Sequence, residues 1–179
     1  MNPPDNDTKA SLPGASLRNE PAATTAAVVT HWLLVSSPEN FETSRRRGFD
    51  IAGMKSRHRK KAETVRPGDT VLFYVTGLKA IAGLAEVTGP HFVEGDEHIW
   101  DSKKAGEEYP YRFPIRPLAV IARPEDFVPV EAFVDGLEYV QRWPRANWTL
   151  AFQGNVHKLS PHDHEMLAGA VREAAGAVK

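Results

Sequence analysis

The chain has no cysteine. Disulfides, thiolate zinc sites, iron–sulfur clusters and cysteine nucleophiles are therefore excluded together. That absence fits a reducing compartment. Long apolar runs are missing as well, and nothing approaches the ~20 residues of a membrane span. The opening MNPPDNDTKA carries acids and prolines where a secretory leader needs basic and then apolar residues. Cytosol is the expected compartment. An excess of one charge is also lacking, with 22 Lys plus Arg against 23 Asp plus Glu. Attraction of the whole molecule to a polyanion is thereby excluded, so any nucleic-acid binding must come from local patches.

What is present is uneven. Residues 45–61 hold eight Lys or Arg against one Asp, and residues 94–108 hold six acids against two lysines. Either segment reads equally well as a solvated face. The 179 residues have room for one ordinary domain plus an appendage. Apart from Met1, residues 1–27 contain only Leu12 and Leu17 as large apolar side chains. Such a segment buries too little to offset the entropy of ordering, so a disordered tail is expected there and a folded domain over 28–179.

From residue 28 the pattern is strand-like. VVTHWLLVS (28–36) is β-branched and aromatic, and Ser37-Pro38 reads as the cap and first residue of a helix ending at Gly48. A loop is expected over 49–56 and a short basic helix over 57–65. Arg66-Pro67-Gly68-Asp69 reads as a turn launching an apolar central strand, 70–76, with 81–89 as its hairpin partner. Three prolines make 109–121 an edge or bent strand. A further strand is expected in 147–160, and Ser160-Pro161 opens a last amphipathic helix. Strands and helices alternate irregularly, which favours α+β.

Chemical motifs are few. The seven histidines show no ligand-pair spacing, and His162 and His164 sit two apart where a helix points them to different sides, so no metal is expected. No nucleophile elbow, P-loop or dinucleotide fingerprint is present, and no cofactor is expected. What remains is a set of aromatic and small polar residues: Ser36, Ser37, Asn40, Phe49, Tyr74, Thr76, Trp100 and Phe152. A bound heterocycle needs aromatic faces and hydrogen-bonding groups for its edge, and this set holds both. Core packing explains most of the aromatics equally well, with Trp100 the exception because its neighbours are polar.

The ordered series HWLLVSSPENF (31–41), GF (48–49), VRPGDTVLFYV (65–75), IAGLAEV (81–87), YPYRFPIRPL (109–118), RW (142–143) and the final capped helix resembles the EVE family, and more loosely its YTH relatives. The likeness runs over about residues 31–171. It implies a PUA-like small β-barrel of five to six strands with peripheral helices and a pocket for a nucleobase, often a modified one. Ser36 and Asn40 then match polar pocket positions, Phe49 the first cage aromatic (usually Trp) and Trp100 the second wall. Asp50 replaces a small hydroxyl residue.

On that resemblance the partner is DNA or RNA carrying a modified base. Phe49 and Trp100 sandwich the base, while Ser36, Asn40 and Tyr74 line the cavity. Arg45, Arg46, Arg47, Arg57, Arg59, Lys60 and Lys61 contact phosphates at its entrance. A rival resemblance, to ASCH-type hydrolases of modified nucleosides, would use Lys55, Thr76 and Glu86.

Overall fold

The computed structural model describes residues 27–176. Apart from Ala27, the expected tail lies outside the described residues. β1 (His31–Ser36) ends where Ser37 caps α1 (Pro38–Arg46), the Ser37 hydroxyl accepting from the Asn40 N–H at 3.2 Å. Pro38 starts the helix, Glu39 lies in its first turn and Arg45 and Arg46 in its last, so each end carries the charge that its dipole favours. Gly48 (φ 71°) and Phe49 (φ 54°) then reverse the chain through left-handed backbone. β2 (Ile51–Met54) follows where a loop was expected. Four residues including a glycine are too few for strand periodicity to show. The basic helix is present as α2 (Arg59–Ala62).

The turn at 66–69 forms as expected, with Gly68 at φ 91° and the Asp69 N–H donating to the Arg66 carbonyl at 3.1 Å. Asp69 does more than turn the chain. Its carboxylate is 2 % exposed, and it accepts from the Thr30 N–H (2.9 Å), the Trp32 indole N–H (2.9 Å) and the Arg66 N–H (3.0 Å). β3 (Thr70–Val75) and β4 (Ala80–Val87) make the hairpin, buried along almost their whole length. Their register shifts beside Gly83, where a bulge was expected.

β5 (Phe92–Val93) lies beside β6 (Tyr111–Val120), and β7 (Val128–Pro129) beside β4. β6 is not an edge. Residues 111–114 pair with β2 and 115–120 with β4, so the strand bends between two partners, and a register shift beside Pro117 absorbs the missing N–H. Residues 145–152 are 3-10 helical rather than a strand. Trp148, Ala151 and Phe152 are the buried positions there, which is helical and not alternating spacing. The last strand is therefore the shorter β8 (Val156–Leu159), followed by α3 (Pro161–Gly176), with the Asp163 N–H donating to the Ser160 hydroxyl at 3.2 Å.

The strands form one curled mixed sheet in the order β2-β6-β4-β3-β1-β8, and α3 packs across β4 and β6. β1 and β3 run parallel, from His31 opposite Thr70 to Ser36 opposite Val75. Their carboxyl ends thus emerge side by side, and the Thr76 N–H donates to the Ser36 carbonyl at 2.9 Å. Asn155 links β1 to the segment just beyond β2. Its side-chain oxygen accepts from the Lys55 N–H at 3.0 Å, just beyond β2, and its carbonyl accepts from the Val35 N–H on β1 at 2.8 Å.

Three histidines are expected to make the fold acid-sensitive. His31 and His164 stack with ring centroids 3.9 Å apart, and the Thr70 hydroxyl lies 2.8 Å from one and 3.0 Å from the other. Burial pushes His164 down to about 4, helped by His31 and Arg172, and burial likewise lowers His58 and His157 to about 4. An imidazole held below its unfolded value of ~6.5 supplies stability that is complete above that pH and lost as pH falls toward 4. Calorimetry is expected to show a steady melting temperature from pH 8 to 7. Below pH 6.5 stability should fall by up to about 1.4 kcal/mol per pH unit for each such histidine. A flat profile between pH 7 and 4.5 would remove the buried imidazoles from the account.

Candidate functional site

The carboxyl ends of β1 and β3, the start of α1 and the segment 100–109 surround a cleft of about 420 Å³. Ser36, Ser37, Glu39, Asn40, Lys55, Arg57, Thr76, Asp101, Ser102, Lys103, Tyr109 and Asn155 are all on it, although most of the surface turned to it is apolar. It meets a recess of about 30 Å³ that shares Val35, Ser36, Asn40, Tyr109 and Asn155 and is otherwise lined by Leu34, Ser44, Ala52, Gly53, Phe73 and Trp100. The recess has room for a water or a methyl-sized group. On the other side, past Thr76 and Gly154, the cleft adjoins a shallower compartment of about 310 Å³ lined by Tyr74, Lys79, Phe152 and Gln153. Tyr74 and Phe152 stack there at 4.8 Å and 13°.

Asn40 fixes the outer wall. Its side-chain N–H donates to the Asp101 carbonyl at 2.7 Å, and its side-chain oxygen accepts from the Asp101 N–H at 2.9 Å. That clamp seats Trp100, whose indole N–H donates to the Ser44 hydroxyl at 2.9 Å. Gly53 is required beneath it, since a Cβ there would lie 2.5 Å from the Trp100 ring. Tyr109 meets Trp100 at 5.6 Å and 59°, so the two rings form a corner. Burial raises the Tyr109 hydroxyl to about 12, so it stays a neutral donor.

The sequence-derived set is only partly assembled. Ser36, Ser37, Asn40, Lys55 and Thr76 line the cleft, Trp100 the recess, and Tyr74 and Phe152 the adjoining compartment. Phe49 does not face Trp100 across a cavity. Its ring is 4 % exposed and packs at 5.5 Å from Phe41 and 5.4 Å from Phe73. The left-handed turn at 48–49 aims this side chain inward. Asp50 also lies off the cleft, on the surface, where it accepts from Arg47 at 2.9 Å and raises the Arg47 pKa. Tyr109, Ser102, Glu107 and Asn155 were not singled out by sequence reasoning. Tyr109 and Asn155 stand beside a proline and a glycine, which mark turns but not function.

The basic and acidic segments, which read as independent faces, fold against each other. Arg47 pairs with Glu97 at 3.0 Å, Lys55 with Glu107 at 2.8 Å and Arg57 with the same Glu107 at 2.5 Å. Arg59 pairs with Glu63, Arg45 reaches the carbonyls of Ile121 and Ala122, and Lys61 donates to the Val156 carbonyl. Only Arg57 of the seven expected phosphate contacts lines the cleft. Arg46 and Lys60 are exposed and have no carboxylate partner among the described residues.

The hydrolase set does not meet. Glu86 lies opposite Thr70 and contacts Arg116. At ~3.3 Å per residue that puts it about 20 Å down β3 from Thr76. Glu138, His162 and Asp163 could in principle approach one ion. Both Asp163 oxygens already accept backbone N–H groups, from Glu138 and Tyr139. No helix among the described residues is long and apolar enough to cross a membrane.

The family model of the EVE domain matches residues 30–150. The chain belongs to the EVE domain family. A UPF0310 protein of Pyrococcus horikoshii is 25 % identical over 149 residues, covering 78 % of this EVE domain chain and 97 % of that one. Among solved structures, the YTH domain of Zygosaccharomyces rouxii MRB1 in complex with N6-methyladenosine RNA has a TM-score of 0.58 at 16 % identity, covering 86 % of this chain and 93 % of that one. Human THYN1 in complex with 5-methylcytosine-containing DNA has a TM-score of 0.51 at 16 % identity, covering 79 % and 97 %. The curled sheet with its helices is thus a PUA-like fold.

Proposed function

We propose that this EVE domain binds nucleic acid and admits one base with a small apolar substituent, such as a methyl group, into the cleft beside Tyr109. The observation that carries this is the recess: a cleft large enough for a base meets a methyl-sized recess lined by Trp100, Phe73, Ala52 and Leu34 together with Ser36, Asn40 and Ser44. The base edge meets Ser36, Asn40 and Asn155, which offer both donors and acceptors. Tyr109 and Trp100 supply the aromatic corner, in place of the Phe49–Trp100 sandwich. The methylated DNA and RNA bound by the two structural neighbours support the same ligand class. Arg57 and Lys103 at the mouth, with Arg46 and Lys60 outside it, contact phosphates.

The test is a thermal-shift panel of methylated and unmethylated nucleosides of all bases. A nucleoside at 100 times its Kd should add about 2.7 kcal/mol of stability. A methylated member is expected to give the largest shift, and Asn40→Ala to abolish it. Equal, negligible shifts across the panel would overturn the reading.

A further inference from the structure

Three groups that line the cleft turn to the carboxylate of Glu107 beside it. Lys55 Nζ donates to Glu107 Oε2 at 2.8 Å and to Ser102 Oγ at 3.2 Å. Ser102 Oγ donates to the same carboxylate oxygen at 2.8 Å, and Arg57 Nη1 donates to Glu107 Oε1 at 2.5 Å. The Lys55 and Glu107 side chains are only 16 % and 10 % exposed. An ammonium, a guanidinium and a hydroxyl thus converge from two distant chain segments on one small anion. Lysine as a point charge, arginine as a planar fork and a hydroxyl donor are the groups with which proteins hold a phosphate. All three line the cleft.

We propose that Lys55, Arg57 and Ser102 form a phosphate site at the cleft mouth, which the chain's own Glu107 occupies until a nucleic-acid phosphate displaces it. This rests on the cleft as a base site only for the source of the phosphate; the anion site needs no base. Two observations favour displacement over a permanent structural ion pair. Glu107 belongs to the segment 101–108, whose residues are mostly exposed, and that segment is held at Asp101 by Asn40. The carboxyl group can therefore leave while the wall stays clamped. Hydrogen bonding from Lys55, then from Ser102, holds Glu107 down at about 2, so at neutral pH the occupant is a full anion. Exchange of one anion for another changes little net charge. A phosphate alone therefore gains little, and the base must supply the preference. Such a plug suits a chain with no net attraction to polyanions.

The experiment titrates inorganic phosphate into the wild-type chain and Glu107→Gln, following backbone amides by NMR. The variant is expected to bind phosphate about tenfold more tightly, the scale of one charge-assisted hydrogen-bonding partner, with shifts at Lys55, Arg57 and Ser102. Adding Lys55→Ala to it should reverse the gain. Equal affinity for the two proteins, or shifts confined to other residues, overturns the proposal. Glu107→Ala, which leaves no side chain to reach Lys55 or Arg57, is expected to show the same gain. A dinucleoside monophosphate and its two free nucleosides complete the set. A gain in Glu107→Gln for the dinucleoside monophosphate but not for the nucleosides ties the site to nucleic-acid phosphate. A gain for inorganic phosphate, with no nucleoside binding to either protein, leaves the phosphate site standing and removes the base reading.

Discussion

Asp69→Ala is expected to cost the fold about 3–5 kcal/mol, because it strands three N–H donors that converge on one buried carboxylate. The donors belong to Thr30, the Trp32 indole and Arg66, and the carboxylate is 2 % exposed. Together they tie the 66–69 turn to the entry of β1, and so set the parallel register of β1 and β3. At roughly 2–4 °C per kcal/mol for a domain of this size, the melting temperature should fall by about 6–20 °C. Because the carboxyl ends of those strands carry Ser36 and Thr76, ligand binding per folded molecule should also weaken. A loss below about 1 kcal/mol would mean that the turn is held by its backbone alone.

Phe49→Ala and Tyr109→Ala are expected to fail in opposite ways. Phe49 packs among Phe41 and Phe73, so its removal should cost about 3–5 kcal/mol of stability while leaving the cleft's affinity per folded molecule unchanged. The small residue would also keep the left-handed backbone of φ 54° without the ring that makes that conformation worthwhile. Tyr109 is partly exposed at the junction of cleft and recess. Losing it should remove about 1–3 kcal/mol of base stacking, a roughly 5- to 150-fold weakening of nucleoside affinity. Chemical denaturation beside calorimetric binding separates the two. Loss of binding in Phe49→Ala with stability intact would reinstate Phe49 as a cage wall.

Much of the fold was legible because its signals are local. Ser37-Pro38, Gly48, Pro67-Gly68-Asp69 and Ser160-Pro161 each mark a boundary by backbone chemistry that the structure uses. What failed locally was short or ambiguous. Ile51–Met54 is a strand of four residues, and the alternating look of NWTLAF hid the helical spacing of its buried side chains. The prolines of 109–121 argued for an edge or a bent strand, and it is the bend, with a register shift, that lets the strand serve two neighbours.

The site was half legible for a different reason. Ser36 and Asn40 line the cleft at positions that the resemblance marked as polar pocket positions, the parallel pairing of β1 and β3 brings Ser36 beside Thr76, and Trp100 stood out in the sequence for its polar surroundings. Phe49 was misplaced because the direction of a ring after a helix stop depends on one dihedral angle, which a family position does not reveal. The complementary charges of 45–61 and 94–108 were visible, yet their meeting requires the tertiary path. Read apart, one looked like a phosphate surface and the other like a solvated loop. Folded together, they leave Glu107 between Lys55 and Arg57.

A methyl-sized group on the bound base should enter the recess before Trp100. Calorimetric titration with two short single strands, identical except for one methyl group on one base, tests it most directly. Burying one methyl is worth ~0.8 kcal/mol, so the methylated strand should bind at least about fourfold more tightly. Gly53→Ala, which forces the Trp100 ring out of its seat, should erase that difference while retaining phosphate-driven binding. Equal affinities for the two strands across the methylated bases, or a preference that survives Gly53→Ala, would contradict the account.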